Sequence, residues 1–157
     1  MFDFDTLVGL IRQRNMLCMT YEEKMQSMIT CDEDDLTSVA QVLKEISGQI
    51  DEVNRQIELL ANGAPESRDE IISASFGRGS REDLNEDLRK VFDAAWDGFA
   101  SLNRAENSSL IVTERIKDRL QEIEKQIRKL SVQPKIITYL NSGVASGTGG
   151  GKIDSNI

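Results

Sequence analysis

The densest run of ligand-bearing side chains is Thr30-Cys31-Asp32-Glu33-Asp34-Asp35. Consecutive carboxylates could hold a hard cation. A calcium loop, however, needs alternating ligands, a central glycine and a distal glutamate, and that spacing is missing here. The same oxygens suit a different task. They can cap the exposed N–H groups of a helix that begins beside them, where negative charge complements the helix dipole. Cys18 and Cys31 make neither a C-x-x-C pair nor a disulfide framework, and read as reduced, partly buried thiols. Gly147-Thr148-Gly149-Gly150-Gly151-Lys152 has the look of a phosphate loop. It carries Ser146 where glycine is required and Ile153 where Ser or Thr is required, with no strand before it and no helix after it.

The chain has no histidine, no nucleophile elbow and no metal-spaced cysteine cluster. The sequence therefore predicts no catalytic residue, no cofactor and no metal. The chemistry that remains is association with other proteins. Phe92, Trp96 and Phe99 recur at i, i+4 and i+7 and form one aromatic stripe, serving either as core or as a partner groove. Ile136, Ile137, Tyr139 and Leu140 are isolated apolar anchors in an otherwise polar end of the chain. These two groups are the candidate partner-binding residues.

Helices must position them. The chain is 157 residues long, 39% hydrophobic and 29% charged, with two prolines, which suits long amphipathic helices. Its net charge of −8 argues against nucleic acid and anionic membranes, whose binding needs surplus cations. No apolar run approaches the ~18 residues that would span a bilayer, and the N-terminus lacks a signal-peptide pattern, so the expected location is the cytoplasm.

Phe4, Leu7, Val8, Ile11, Cys18, Met25, Met28 and Ile29 define a first helix over about 3–30, with a polar layer expected at Arg14 or Asn15. The strongest pattern is Leu36, Val39, Leu43, Ile46, Ile50, Val53, Ile57 and Leu60, an unbroken a/d heptad in a second helix over about 33–61. Asn62-Gly63 predicts a left-handed stop, and Pro65 prevents resumption. The short connection before this seam folds the first helix back against it as a long antiparallel hairpin. Ser67 to Glu70 has capping-box spacing for a short helix over 69–76. A third long helix over 81–131 carries Leu84, Leu88, Val91, Ala95, Leu102, Ala105, Val112, Ile116, Leu120, Ile123, Ile127 and Leu130, with a weak middle at Gly98, Glu106 and Ser109. It either runs on past the hairpin or bends near Asn107.

The expectation is an all-α protein: a hairpin plus a third long helix, forming a three-helix coiled-coil bundle over residues 1–133. A flexible Gly/Ser-rich tail follows over 134–157, and residues 141–157 hold five of the eleven glycines.

This arrangement resembles the FlgN-type flagellar export chaperones of bacteria. The likeness is carried by Leu102-Asn103, Asn107, Leu110, Ile116 and Leu120, then by Tyr139, Gly143 and the terminal Gly150-Gly151-Lys152-Ile153. It is pointed over 102–157 and diffuse over 1–100. The resemblance implies a cytoplasmic monomer or homodimer that binds the C-terminal helices of hook–filament junction proteins, prevents their premature association and delivers them to the export gate. Tyr139 would occupy the place of the family's gate-docking tyrosine, though in a more apolar setting, Ile136-Ile137-Thr138-Tyr139-Leu140. The alternatives are an adaptor of another type III-like secretion system, or a structural coiled-coil oligomer.

Overall fold

A computed structural model describes residues 1–131. The protein is all-α, with α1 at Phe4–Thr30, α2 at Leu36–Ala61, α3 at Arg68–Ser75 and α4 at Glu86–Ser131. Short 3-10 turns at Glu33–Asp35 and Arg81–Asp83 precede α2 and α4. The chain divides into two compact units, Met1–Val112 and Thr113–Ile157.

In the first unit three long helices share one core. Near the start of α1, Leu7 and Ile11 pack with Val53, Ile57 and Ala61 of α2 and with Leu88, Val91, Phe92 and Ala95 of α4. Midway, Cys18 meets Ile46 and Ile50. Farther along α1, Met25 and Met28 meet Leu43, Ala105 and Val112. Residue numbers rise together in α1 and α4 and fall in α2. The hairpin is therefore antiparallel, and α4 runs alongside α1. The expected three-helix architecture is present, and Ile71 and Ala74 of α3 close the end of the core that holds Leu7.

The seams follow helical periodicity with instructive departures. Leu43, Ile46, Ile50, Val53 and Ile57 are buried as the α2 heptad predicts. At its end Ala61 is fully buried while Leu60 is only half-buried, because a 3.6-residue helix drifts off a strict 3.5-residue repeat. Arg14 does not interrupt the α1 stripe; it occupies the seam between Ile11 and Cys18 and is 2% exposed. The expected polar layer is thus a buried cation. The methionines divide: Met25 and Met28 fill core, whereas Met16 and Met19 are exposed.

Much of the weak middle of α4 is core, although Glu106 is exposed and Ser109 half-buried. Ala95, Gly98, Ser101, Ala105 and Ser108 are its buried positions, and their small side chains let α1 approach closely. A Cβ on Gly98 would collide with Asn15 Oδ1, while Asn15 Nδ2 donates to the Ala94 carbonyl at 2.6 Å. Glu22 on α1 accepts two bonds from Arg104 on α4, at 2.7 and 3.0 Å. No break occurs at Asn107: the helix is continuous from Glu86 to Ser131.

Four helix ends differ from expectation. Asn62 and Gly63 do not take the left-handed conformation, since the positive-φ glycines are Gly77 and Gly79. Instead α2 tightens at its end, with Gly63 and Ala64 N–H donating three residues back to Leu60 and Ala61 carbonyls. Ser67 makes no side-chain capping bond to α3, and Asp35 makes none to α2. Residues 81–83 form a 3-10 turn rather than the start of α4, which begins where Asn85 Oδ1 accepts from the Leu88 N–H at 2.9 Å. Arg81 anchors that turn with two bonds to Asp93, at 2.6 and 2.8 Å. The α1 cap is complete, with Asp3 accepting from both the N–H and the hydroxyl of Thr6.

Candidate partner-binding surface

The aromatic stripe does not form a single surface. Phe92 is buried in the core, Trp96 is 53% exposed and Phe99 is half-buried. The Phe92 and Trp96 rings remain neighbours, with centroids 6.1 Å apart. Phe99 turns inward instead, where its ring lies against Gly77 and under the guanidinium of Arg14. Gly77 has φ +61 and would bring a Cβ to about 3.0 Å of that ring, so glycine answers both the backbone and the packing there. Of the three aromatics, Trp96 alone offers a broad apolar face to solvent. Ile136, Ile137, Tyr139 and Leu140 lie outside the described residues.

The buried polar layer is built around one cation. Arg14 Nη1 donates to Asn54 Oδ1 at 3.0 Å and Nη2 donates to the Ser75 carbonyl at 2.5 Å. Its guanidinium carbon sits 5.1 Å from the Phe76 centroid and 5.2 Å from that of Phe99. One side chain therefore ties α1 to α2, α3, the loop after α3, and α4. Burial lowers the Arg14 pKa, opposed by Cys18, yet an arginine remains charged. Burial likewise raises the Cys18 pKa, which keeps that thiol protonated and unreactive. This layer is structural: two Arg14 nitrogens donate to protein acceptors between packed rings, and the neighbouring Ser75 hydroxyl is buried without a hydrogen-bond partner among the described residues.

Exposed apolar surface is concentrated elsewhere. In the second unit, Ile116, Leu120, Ile127 and Leu130 are 39%, 57%, 59% and 50% exposed, and Ile123 is half-buried. Their 4-3-4-3 spacing places all five within about 80° of arc on α4, at 100° per residue. That is a heptad seam of about four turns, the surface a second helix covers by knobs-into-holes packing. Side chains scattered singly on a surface need no explanation; a contiguous stripe of five does.

Charged residues border the stripe. On helical geometry Arg119, Arg115 and Glu122 lie to one side, and Glu124, Lys117 and Arg128 to the other. Lys117 reaches Glu114 only at 4.0 Å, with both side chains well exposed, so the pairing is weak. The charge balance of this segment contrasts with the first unit: residues 1–112 carry 11 Lys and Arg against 22 Asp and Glu, whereas residues 113–131 carry 6 against 4.

The stripe was visible in the sequence as continued heptad spacing. Its exposure was not, because a repeat does not reveal whether the facing helix belongs to the same chain. Among the described residues, no helix is long and apolar enough to cross a membrane, and no group of three His, Cys, Asp or Glu side chains converges as a metal site. Comparisons with protein-family models, curated proteins and solved structures returned no match.

Proposed function

We propose that this protein is an export chaperone that holds an amphipathic helix of a client protein against the apolar stripe of α4. The exposed seam Ile116, Leu120, Ile123, Ile127 and Leu130 carries the reading. A client helix with a bare apolar stripe self-associates. A preformed chaperone helix with a matching seam covers that stripe without first having to fold.

The resemblance to FlgN-type flagellar chaperones names the client class: the C-terminal helices of hook–filament junction proteins, held in the cytoplasm until delivery to the export gate. Ile116 and Leu120 contribute to both arguments, since they carry part of the resemblance and open the exposed seam. In this reading the protein is a binding module without catalytic activity. Trp96 is a secondary contact, and Tyr139, with Ile136, Ile137 and Leu140 around it, addresses the gate.

A second reading rests on the same surface. An exposed heptad can pair with its own copy, which would make the protein a structural coiled-coil oligomer. An adaptor role in another type III-like secretion system would use the stripe as the chaperone does and differ in client. Titration calorimetry of the full chain against C-terminal helices of hook–filament junction proteins, with light-scattering mass, separates these outcomes. Specific binding by a monomer or dimer supports the chaperone. A stable higher oligomer that ignores those helices supports the structural protein. A monomer that ignores them, yet binds helices exported by another secretion system, supports the adaptor.

A further inference from the structure

An apolar seam left bare before a client arrives would have one occupant always at hand, a second copy of this chain, and the register of α4 fits it. Resting on the reading of α4 as a client-binding helix for the exchange alone, we infer that a second copy closes the stripe until a client takes it. The two α4 helices run parallel and in register.

Ile116, Ile123 and Leu130 occupy one core position of the heptad, d, and Leu120 and Ile127 the other, a, so the stripe begins and ends on d. Antiparallel helices set a against d. The two a residues then match only two of the three d residues, and either Ile116 or Leu130 of each copy lacks an apolar counterpart. Parallel helices in register set a against a and d against d, which closes all five layers. The side chains with most to gain are Ile116, Leu120, Ile127 and Leu130, which are 39% to 59% exposed in the single chain.

The nearest charges agree with that orientation. Arg119 and Glu124 stand closest to the seam on opposite flanks, with Lys117 just beyond Glu124. In a parallel pair a residue on one flank faces the partner's residue five positions further along, and two-fold symmetry repeats each contact. Arg119 therefore meets Glu124 of the second copy on both flanks. Gln126 faces Ser131, and Lys117 faces the position of the uncharged Val112, so no like charges are brought together. Arg119 already interacts within its own chain, and a guanidinium has donors enough for both contacts. The antiparallel register that covers Leu130, by contrast, sets the two copies' Glu124 side by side. The stripe extends only about 21 Å along the helix. Pairings that bury under roughly 1,200 Å² are weak and exchange readily, which lets a client helix displace the copy.

The test uses the full-length protein, with sedimentation velocity at rising concentration as the readout. The native chain should reach two copies per particle. Glu124→Arg and Arg119→Glu each set like charges together on both flanks, and each should weaken pairing about tenfold. Mixing the two variants should restore it, since each supplies the charge that the other lacks. Circular dichroism verifies that both variants melt as the native chain does. Leu130→Cys should link to itself under mild oxidation, because a disulfide needs Cα atoms within about 7 Å and only the parallel register supplies that. The native chain, whose Cys18 is buried and Cys31 half-buried, is the control. Adding a junction-protein C-terminal helix should convert the pairs into one-to-one complexes.

A chain that stays monomeric at every concentration overturns the inference and leaves the client-binding stripe standing. An assembly of more than two copies, a pair indifferent to both charge reversals, or one that Leu130→Cys fails to link also overturns it. A client helix that binds the intact pair without dividing it overturns the exchange, and with it the assignment of the client to this stripe.

Discussion

Replacing Arg14 tests how the three-helix unit fixes its register. The side chain is 2% exposed, bonded to Asn54 and to the Ser75 carbonyl, and stacked between Phe76 and Phe99. Arg14→Ala removes two charge-assisted bonds, strands the buried Ser75 carbonyl and opens a cavity beneath two rings. Hydrogen bonds to charged groups contribute about 1.5–3 kcal/mol each, and truncation of a large buried side chain costs about 2–5 kcal/mol. Relief from burying a cation, which is worth several kcal/mol, opposes these losses. The net expectation is a loss of roughly 3 kcal/mol, or a fall in Tm of about 6–12 °C for a chain of this size. Arg14→Met restores most of the volume and also avoids the buried charge, so it should lose only about 1 kcal/mol. Urea unfolding followed by circular dichroism gives both values. An alanine variant within about 0.5 kcal/mol of the native protein would refute the assignment of Arg14 as the tie between helices. A methionine variant less stable than the alanine would refute the packing argument.

Two glycines inside helices should respond in opposite directions. Gly98→Ala drives a Cβ into Asn15 and should destabilise by about 1–2 kcal/mol despite alanine's better helix propensity, whereas Gly48→Ala meets nothing within 4 Å and should stabilise by about 0.5–1 kcal/mol. Equal shifts in urea midpoint would show that α1 and α4 do not approach closely at Gly98. Ile50→Asp should unfold the first unit, since a carboxylate would enter a seam formed with Cys18 and Ile46, and unchanged helicity in that variant would show that the seam is not core. Stability should fall in acid. Arg104 holds Glu22 below its ordinary value of 4.5, and Arg81 holds Asp93 below 3.8. The folded form of each is favoured above the unfolded pKa, and the advantage is lost as pH drops through the lowered one. Glu22→Gln should flatten the fall of Tm below about pH 4.5, and an unchanged pH profile would show that the Glu22–Arg104 bonds do not form in solution.

The hairpin was legible because α2 repeats large aliphatic residues at heptad spacing, and hydrophobic period reports directly which face is buried. α4 was harder to read for the opposite reason. Between Ala95 and Ser108 its core positions are glycine, serine and alanine, which look like gaps in a hydrophobic pattern yet mark the closest helix approach. Arg14 looked like an interruption because the sequence of one helix does not show the Ser75 carbonyl and the Phe76 and Phe99 rings that receive it. Asn62-Gly63 has the composition of a left-handed stop, but the chain needed only a tightened turn before Pro65. The α4 stripe was legible as a seam. That it faces solvent while the seams of α1 and α2 face each other is a tertiary fact, and the partner-binding reading depends on it.

The most direct test of that reading is binding of junction-protein C-terminal helices to the full chain and to Leu120→Asp/Ile127→Asp, two substitutions at exposed positions of the stripe. Titration calorimetry should show specific binding by the native protein and at least a hundredfold loss in the variant, about 2.7 kcal/mol, with Tm unchanged. Undiminished binding by the variant would place the client elsewhere on the protein. Absence of binding by the native chain, together with an oligomer that the variant abolishes, would contradict the chaperone reading and leave the stripe as a self-association seam.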